Sequence, residues 1–257
     1  MTIPSDKPVT FILAMGANTI DENGNRLLKA NDDAQKFADT IAQVLKLEEH
    51  NKCIIKDVKQ EQFKRNLEKL QILAQPRDTV FIYFSGHGTK LPDSNEDEVY
   101  DDKYCYDEAF VVNNNFGTGI HKVRDDFFVK QVNKIPTNNI ITTVDFCFSG
   151  GVLRGTKNCL NVKSKNWSFS HNKEEPIFKS NCPVSDMKKL KGKVYMASKE
   201  NEIAWEFDNG GIFTTFFVKN IRIYKKFDKA FEITAKQVRD ITSLRGCDQL
   251  QQPQRRP

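Results

Sequence analysis

Short apolar runs recur along the chain and alternate with longer amphipathic segments. Each run is five to eight residues long and is rich in β-branched or aromatic residues. Runs of this length, bounded by turn-forming residues, predict buried β-strands. The predicted strands lie at residues 9–16, 53–58, 79–84, 108–112 (a strand or a hairpin), 139–146 and 193–198.

The segments between these runs carry apolar residues three or four positions apart, which is the period of an amphipathic helix. In the first such segment, Phe37, Ile41 and Val44 share one face. Either Asn31 or Asp32 can cap its N-terminus. The predicted helices lie at residues 31–45, 61–74, 125–134, 211–225 and 235–246.

Strands that lack a polar face and alternate with helices predict an α/β fold. Its sheet should be largely parallel and covered by helices on both sides. Three segments fall outside the pattern: an acidic loop at 91–106, a lysine-rich stretch at 153–191, and a polar tail at 251–257. We interpret the lysine-rich stretch as a long exposed loop or linker. In such folds, functional groups gather at the carboxyl ends of the strands.

Length and composition fit one domain with a sizeable core, since the chain has 257 residues and is 39% hydrophobic. No window reaches the roughly 18 uninterrupted apolar residues of a membrane span. The first ten residues lack the basic and apolar regions of a signal peptide. We therefore expect a soluble, cytoplasmic protein that does not bind membranes.

Charge and cysteine content exclude several other classes. The 39 basic and 34 acidic side chains give a net charge of +5 and are mixed along most of the chain, so we expect no nucleic-acid partner. The six cysteines form no CxxC pair and the four histidines are scattered. Neither a disulfide framework nor a zinc site is therefore expected.

Two predicted strands end in residues that could carry chemistry. The run at 79–84 leads into Ser85-Gly86-His87-Gly88, and the run at 139–146 delivers Cys147 into a glycine-rich turn. A thiol nucleophile needs a nearby base, and a histidine and a cysteine on adjacent strands supply both. The flanking glycines allow a substrate backbone to approach. The amides of Gly88 and Cys147 could then form an oxyanion hole.

Asp145 precedes Cys147 by two residues on a predicted strand, so the two side chains share a face. A carboxylate beside a thiol raises the pKa of that thiol and disfavours the thiolate. This arrangement becomes useful if a substrate brings a cation, such as a lysine or arginine on the amino side of the cleaved bond (position P1). The alternative is that Asp145 caps a turn.

The two strand ends together resemble the caspase-like cysteine peptidases of clan CD, and most resemble the metacaspases. The carrying residues are SGHG at 85–88 and, about 60 residues later, DFCFSGG at 145–151. Weaker resemblances are NDDA at 31–34, YDEAF at 106–110, VRDD at 123–126 and the stretch from MASKENEIAWEF to GIFTTFF. The signature of true caspases is absent, and the legumain type fits less well.

The resemblance implies one caspase-like domain, a three-layer α/β/α sandwich with a mostly parallel central sheet. Residues 1–152 would form the large-subunit-like region, 153–191 the loop or linker, and 192–257 the small-subunit-like region. We expect the chain to lack the N-terminal prodomain of longer metacaspases, and we expect a monomer.

The resemblance also implies a cysteine endopeptidase that cleaves protein or peptide substrates after arginine or lysine. His87 and Cys147 would form the catalytic dyad, and Asp33, Ser85 and Asp145 the pocket for the P1 side chain (S1). Asp32 competes with Asp33 for this role; we choose Asp33 because it directly precedes Ala34, as in the family. An acid in a first helical turn could instead serve the helix dipole.

Many metacaspases are activated by calcium, and the resemblance places candidate ligands at Asp107, Asp125 and Asp126. Seven residues beyond Cys147, where the family commonly has a further acid, this chain has Arg154. Arg154 either weakens the site or replaces the ion by pairing with those acids. A simpler alternative is that Asp125 and Asp126 only begin a helix.

Self-processing is a further possibility, because a peptidase of this specificity could cut its own lysine-rich segment. The candidate lysines are Lys157, Lys163, Lys165, Lys173, Lys179, Lys188, Lys189 and Lys191. The alternative is a solvated loop. Two other functions stay open: an inactive regulatory or scaffold protein of the same family, and a clan CD acyl transferase or ligase.

Overall fold

The computed structural model describes residues 7–20, 26–47, 51–92, 99–100, 103–104, 106–116, 119–147, 163–165, 186–199, 202–245, 247 and 250–257. The strands in these residues are β1 (Thr10–Gly16), β2 (Lys52–Ile55), β3 (Thr79–Ser85), β4 (His87–Pro92), β5 (Val99–Tyr100), β6 (Lys103–Tyr104), β7 (Tyr106–Asn113), β8 (Ile120–Arg124), β9 (Asn139–Asp145), β10 (Lys163–Ser164), β11 (Lys193–Met196), β12 (Trp205–Phe207), β13 (Gly210–Gly211) and β14 (Gln254–Arg256). The helices are α1 (Ala30–Leu45), α2 (Gln60–Leu73), α3 (Asp125–Asn133), α4 (Ile212–Tyr224) and α5 (Phe227–Leu244), with a 3-10 turn at Asp186–Lys189.

Six strands form the central sheet in the order β14-β11-β9-β3-β1-β2. All neighbouring pairs are parallel except β11 and β14. Alternate residues of each strand face opposite sides, so two apolar layers cover the sheet. The helices α2 and α3 pack on one face, while α1, α4 and α5 pack on the other. The predicted α/β sandwich with a mostly parallel sheet is confirmed.

Two smaller sheets lie beyond the central one. The strand β4 follows β3 almost directly and forms an antiparallel sheet in the order β4-β7-β8. The other sheet has the order β10-β12-β13 and is also antiparallel. These additions matter for function because they lie next in sequence to the carboxyl ends of the central strands and to the start of α4.

The structure corrects two segment predictions. The polar tail is not free, since β14 pairs with β11 at the edge of the central sheet and the Gln251 side chain is fully buried. The stretch at 153–191 is not exposed throughout, because Lys165 is fully buried and Lys163–Ser164 form a strand. Both segments are polar in sequence, and only contacts with distant residues give them their structure.

Cys247 corrects a third expectation, because it is disulfide-bonded although the cysteine spacing did not suggest a disulfide. Its side chain is buried against the layer formed by α1, α4 and α5.

Among the described residues, no helix is both long enough and apolar enough to cross a membrane.

Candidate active site

The two strand ends singled out in the sequence lie side by side. In the pairing of β3 with β9, Ser85 is directly opposite Asp145. His87 and Cys147 each follow two residues later, and both side chains are fully buried. The amide of Gly86 donates to the Asp145 carbonyl at 3.4 Å, which keeps the two chains together beyond the sheet. The fold therefore brings the predicted dyad to one edge.

Gly88 is required by close packing at this edge. A Cβ atom at this position would lie 1.9 Å from the Cys147 carbonyl oxygen and 2.1 Å from a ring carbon of Phe146. Both distances are far shorter than a van der Waals contact. Neither the backbone carbonyl nor the buried phenylalanine ring can move aside easily. Any other residue would push the segment after His87 away from Cys147.

The Cys147 thiol is held by the backbone of Ala204. The Ala204 amide donates to Sγ at 2.8 Å, and the thiol donates to the Ala204 carbonyl at 3.3 Å. Burial raises the pKa of the Cys147 thiol to about 12, although hydrogen bonds from the backbone of Ala204 and Lys165 oppose this rise. At neutral pH the thiol in this arrangement is protonated.

The three predicted S1 residues meet in one buried pocket beside the thiol. The Ser85 hydroxyl donates to Asp33 Oδ2 at 3.1 Å, and all three side chains are fully buried. Asp32, the competing candidate, is half exposed and pairs with Lys29 at 3.3 Å. The helix α1 therefore turns Asp33, rather than Asp32, toward β3 and β9.

The pocket is filled by a lysine from the same chain. Lys165 Nζ lies 2.8 Å from Ser85 Oγ, 3.3 Å from Asp33 Oδ2 and 3.1 Å from Asp145 Oδ1. It also donates to the Asp145 carbonyl at 3.2 Å. Burial alone would lower the pKa of Lys165, but the acids around it outweigh burial and raise that pKa. The lysine is therefore charged, and the pocket holds a cation.

The backbone of this segment is hydrogen-bonded on two sides. Residues 163–164 pair antiparallel with β12, and the Lys165 amide donates to the Ala204 carbonyl at 2.9 Å. The Gly88 amide donates to the Lys165 carbonyl at 3.2 Å. The carbonyl of Lys165 is thus bound by one of the two amides predicted for the oxyanion hole.

The start of α4 supports the two pocket carboxylates. The Gly211 amide donates to Asp33 Oδ2 at 2.9 Å. The amide and hydroxyl of Thr214 donate to Asp145 Oδ2 at 3.2 and 2.5 Å. A Cβ atom at Gly211 would lie 2.2 Å from Asp145 Oδ2 and 2.6 Å from Lys165 Nζ. Gly211 thus leaves room for the cation, and Thr214 orients Asp145 toward it.

The candidate calcium acids are placed differently from the pocket acids. Asp107 and Asp125 are fully buried, and Asp107 forms an ion pair with Arg124. Within the described part of the chain, no group of three or more histidine, cysteine or acidic side chains is arranged to hold a metal ion. Arg154 lies outside the described residues.

Comparison with known proteins settles the family. The sequence profile described as Caspase domain matches residues 11–256, nearly the whole chain. The chain belongs to the caspase-domain family. Within this family of cysteine peptidases it is metacaspase-like, in agreement with the resemblance in its strand ends.

Curated metacaspases match part of this caspase-domain chain. Metacaspase-6 of Arabidopsis thaliana is 32% identical over 93 residues, which are 36% of this chain and 23% of that protein. Metacaspase-1 of Cryptococcus neoformans var. neoformans is 40% identical over 81 residues, which are 31% of this chain and 17% of that protein. The matches thus cover less than a quarter of either relative.

Solved structures share the caspase-like fold over nearly the full chain. A protein of Geobacter sulfurreducens has a TM-score of 0.63 and 16% identity, covering 97% of this chain and 93% of its own. Caspase-1 from Spodoptera frugiperda has a TM-score of 0.54 and 12% identity, covering 100% of this chain and 94% of its own. At such identities the likeness concerns the fold.

Sequence reasoning missed the residues that support the pocket of this caspase-domain protein. Lys165 was one of eight candidate lysines, and no local feature separates it from the others. Gly211 and Thr214 were part of a predicted helix without a role. A weak signal was available, since a Gly-Gly pair at 210–211 directly before a helix places free amides at its N-terminus.

Proposed function

We propose that this protein is a cysteine endopeptidase that cleaves after lysine or arginine. The observation that carries the proposal is the position of Lys165, whose ammonium group contacts Asp33, Ser85 and Asp145 while its carbonyl accepts from Gly88. A charged side chain and the carbonyl of the same residue are thus bound at once, as the P1 residue of a substrate must be.

In the proposed reaction, Cys147 is the nucleophile and His87 the general base and acid. His87 takes the thiol proton, and Cys147 Sγ attacks the P1 carbonyl carbon. The resulting oxyanion accepts hydrogen bonds from the amides of Gly88 and Cys147. When the C–N bond breaks, His87 protonates the leaving amine and a thioester remains. Water then gives a proton to His87 and attacks the thioester, which releases the carboxylic acid and the thiol.

A cationic P1 residue serves two purposes in this site. Its charge compensates two buried carboxylates, which are costly to bury without a partner. It also offsets the effect of Asp145 on the thiol, since Asp145 raises the Cys147 pKa whereas the Lys165 charge lowers it. Substrate binding and nucleophile activation are therefore coupled through one charge.

A panel of otherwise identical peptides with arginine, lysine, norleucine or aspartate at P1 tests this proposal. We expect cleavage after arginine and lysine only, and no cleavage by Cys147→Ala. Cleavage after aspartate but not arginine would overturn the specificity. Activity that survives in Cys147→Ala would overturn the mechanism. A well-folded wild-type protein that cleaves none of the peptides would favour the inactive regulatory or scaffold alternative.

We also propose self-processing at the bond between Lys165 and Asn166. In the uncut chain Lys165 occupies its own S1 pocket, so it would act first as an inhibitor and then as the first substrate. Intact mass measurement on the purified chain after reduction of its disulfide should show fragments 1–165 and 166–257. Cys147→Ala and Lys165→Gln should both stay uncut at this bond. Cutting of Lys165→Gln at the same bond would contradict the proposal.

Calcium activation stays a prediction, and no step above depends on the ion. The acids Asp107, Asp125 and Asp126 supply the oxygen ligands that calcium prefers, but Arg124 already pairs with Asp107. Among the described residues, these acids are not part of a group of three or more that could hold a metal ion. Activity against an arginine peptide, measured with calcium and with a chelator, decides whether calcium is required.

We further propose that the protein acts as a monomer. The edge strand β14 has only three residues and carries two arginines, features that discourage pairing between copies at this edge. Light scattering coupled to gel filtration should give the mass of one chain at micromolar concentration. A stable dimer would contradict this proposal. The cytoplasmic location and the absence of nucleic-acid partners stay predictions.

A further inference from the structure

A third acid, Glu206, lies next to the S1 pocket and has no role in the reaction proposed above. Its side chain is 2% exposed. Its Oε1 atom accepts from the Leu28 amide at 2.9 Å. The Lys29 amide also acts on this carboxylate and lowers its pKa, but Oε2 is buried and has no partner at hydrogen-bond geometry among the described residues. A buried carboxylate oxygen without a donor is costly, so its retention needs an explanation.

The sheet register places Glu206 opposite a particular substrate position. With Lys165 as P1, Ser164 is P2 and Lys163 is P3, and β10 pairs residue 163 with Glu206. On the other side of β12, Glu206 is opposite Gly211. Residues directly opposite one another in an antiparallel sheet have their Cβ atoms about 5 Å apart on the same face. The P3 position and Glu206 are therefore neighbours.

The strand alternation gives the same result independently. Residues two apart on a strand project from the same face, so P1 and P3 share a face whereas P2 projects oppositely. P1 enters the acidic pocket, because Lys165 Nζ contacts Asp33 and Asp145. A P3 side chain bound in the same register starts on that acidic face.

The charges on this face are not balanced by P1 alone. Three buried carboxylates, those of Asp33, Asp145 and Glu206, surround Lys165, which is the one fully buried lysine or arginine among the described residues. Burial raises the pKa of Glu206, and Lys165 opposes this rise. Lys36 also lowers the pKa of Asp33, whereas Lys165 is the cation that lowers the pKa of Glu206. A second cation near Oε2 would therefore find an acceptor on a carboxylate that shares Lys165 with Asp33 and Asp145.

We propose that Glu206 forms a subsite that selects a lysine or arginine at P3. This inference rests on the proposed function, since it takes Lys165 as a P1 residue. The natural substrates would then carry basic residues at alternate positions, in the pattern basic–any–basic. The chain's own segment Lys163-Ser164-Lys165 has this pattern.

Glu206 could instead serve only to hold the Leu28 backbone in place before α1. The two roles separate in Glu206→Gln, because the glutamine side-chain oxygen can still accept from the Leu28 amide while the charge is removed. If Glu206 only holds the Leu28 backbone, substrate selection should be unchanged in this variant. If Glu206 binds a P3 cation, the preference for that cation should be lost.

The test uses fluorogenic peptides acetyl-X-Ser-Lys, with lysine, norleucine or glutamate as X, and a control pair that differs at P1 only. Norleucine matches the lysine stem without its charge. For the wild type we expect kcat/KM to be about tenfold higher with lysine at P3 than with norleucine. This ratio lies between the effect of an exposed ion pair and that of a buried one. Glutamate should be the poorest. In Glu206→Gln the ratio of lysine to norleucine should fall to within about twofold, with P1 discrimination kept.

The outcomes separate this inference from the function on which it rests. A wild-type P3 ratio near one, or an unchanged ratio in Glu206→Gln, overturns the P3 subsite alone. Equal cleavage after lysine and norleucine at P1 overturns the proposed specificity. If no peptide is cleaved, both fail. If Glu206→Gln no longer melts cooperatively, the wild type alone tests the subsite: kcat/KM must fall in the order P3 lysine, norleucine, glutamate, and any other order overturns it.

Discussion

Replacing Lys165 by glutamine should open the active site. The ammonium group of Lys165 has four polar contacts within 3.3 Å in the S1 pocket. Removing one partner of a buried ion pair typically costs about 3–5 kcal/mol. At 1.4 kcal/mol for each factor of ten, this corresponds to a change of about 10² to 10³ or more in the open fraction. Because water enters the vacated pocket and solvates the acids, the lower end is the better expectation.

The assay is the alkylation rate of Cys147 by iodoacetamide under native conditions, followed by intact mass. Because the wild type is predicted to cut itself, both chains are compared in the His87→Ala background, which keeps them uncut, and labelling of the other cysteines is subtracted by means of Cys147→Ala. We expect the rate in Lys165→Gln to be about a hundredfold higher than the rate with Lys165 present, up to the limit set by a fully open site. Lys189→Gln, a change at an exposed lysine, is the matched control and should leave the rate unchanged. An equal or lower rate in Lys165→Gln would show that the segment does not shield the thiol.

Three further predictions concern the pocket and its support. In Gly211→Ala the new methyl group would lie 2.2 Å from Asp145 Oδ2, so kcat/KM for a P1-lysine peptide should fall by at least about tenfold. The overpacking should also lower the melting temperature by several degrees. Normal kcat/KM would contradict the role of Gly211 as a wall of the pocket. Burial raises the pKa of Asp33 above its ordinary 3.8, and only the anion attracts P1, so the ratio of kcat/KM for P1 lysine over P1 norleucine should decline as the pH falls through that raised pKa. A ratio independent of pH would refute this role. The Gln251 side chain accepts from the Trp205 amide at 3.2 Å and donates to the Ala197 carbonyl at 2.9 Å. Gln251→Met removes both hydrogen bonds and should lower the melting temperature by about 5 °C. An unchanged melting curve would show that these two hydrogen bonds do not stabilise the fold.

The strand ends of the active site could be predicted because their signals are local. The β3 and β9 strands are continuous apolar runs that stop at glycine-containing turns, and the sequence alone identifies where they stop. Parallel neighbours then bring their carboxyl ends to one edge. The pairing of Ser85 with Asp145 in the structure is the outcome that this reasoning requires.

The occupant and the walls of the pocket could not be predicted because their contacts are distant in sequence. The sequence around Lys165 resembles the sequence around several other lysines. Only the antiparallel pairing of residues 163–164 with β12 distinguishes Lys165 from them. Likewise, β14 consists of polar residues, and its conformation depends on the neighbouring β11 rather than on its own pattern. In both cases tertiary contacts override a local preference for exposed loop.

The structure shows that the two carboxylate oxygens of Asp145 make different contacts. From sequence, Asp145 was either a pocket acid or a turn cap, and the geometry gives it both kinds of contact. Its Oδ2 accepts from Thr214 at the start of α4, while its Oδ1 faces Lys165. One oxygen thus holds the carboxylate in place, and the other contacts the Lys165 ammonium group.

Covalent capture of Cys147 tests the central claim most directly. Two acyloxymethyl ketone peptides, identical except for lysine or norleucine at P1, are incubated with the purified protein after self-processing. We predict that the lysine reagent adds its mass once, at Cys147, much faster than the norleucine reagent does, and that excess arginine peptide slows this labelling. Equal labelling by both reagents, or labelling at another cysteine, would contradict a thiol peptidase that selects basic residues.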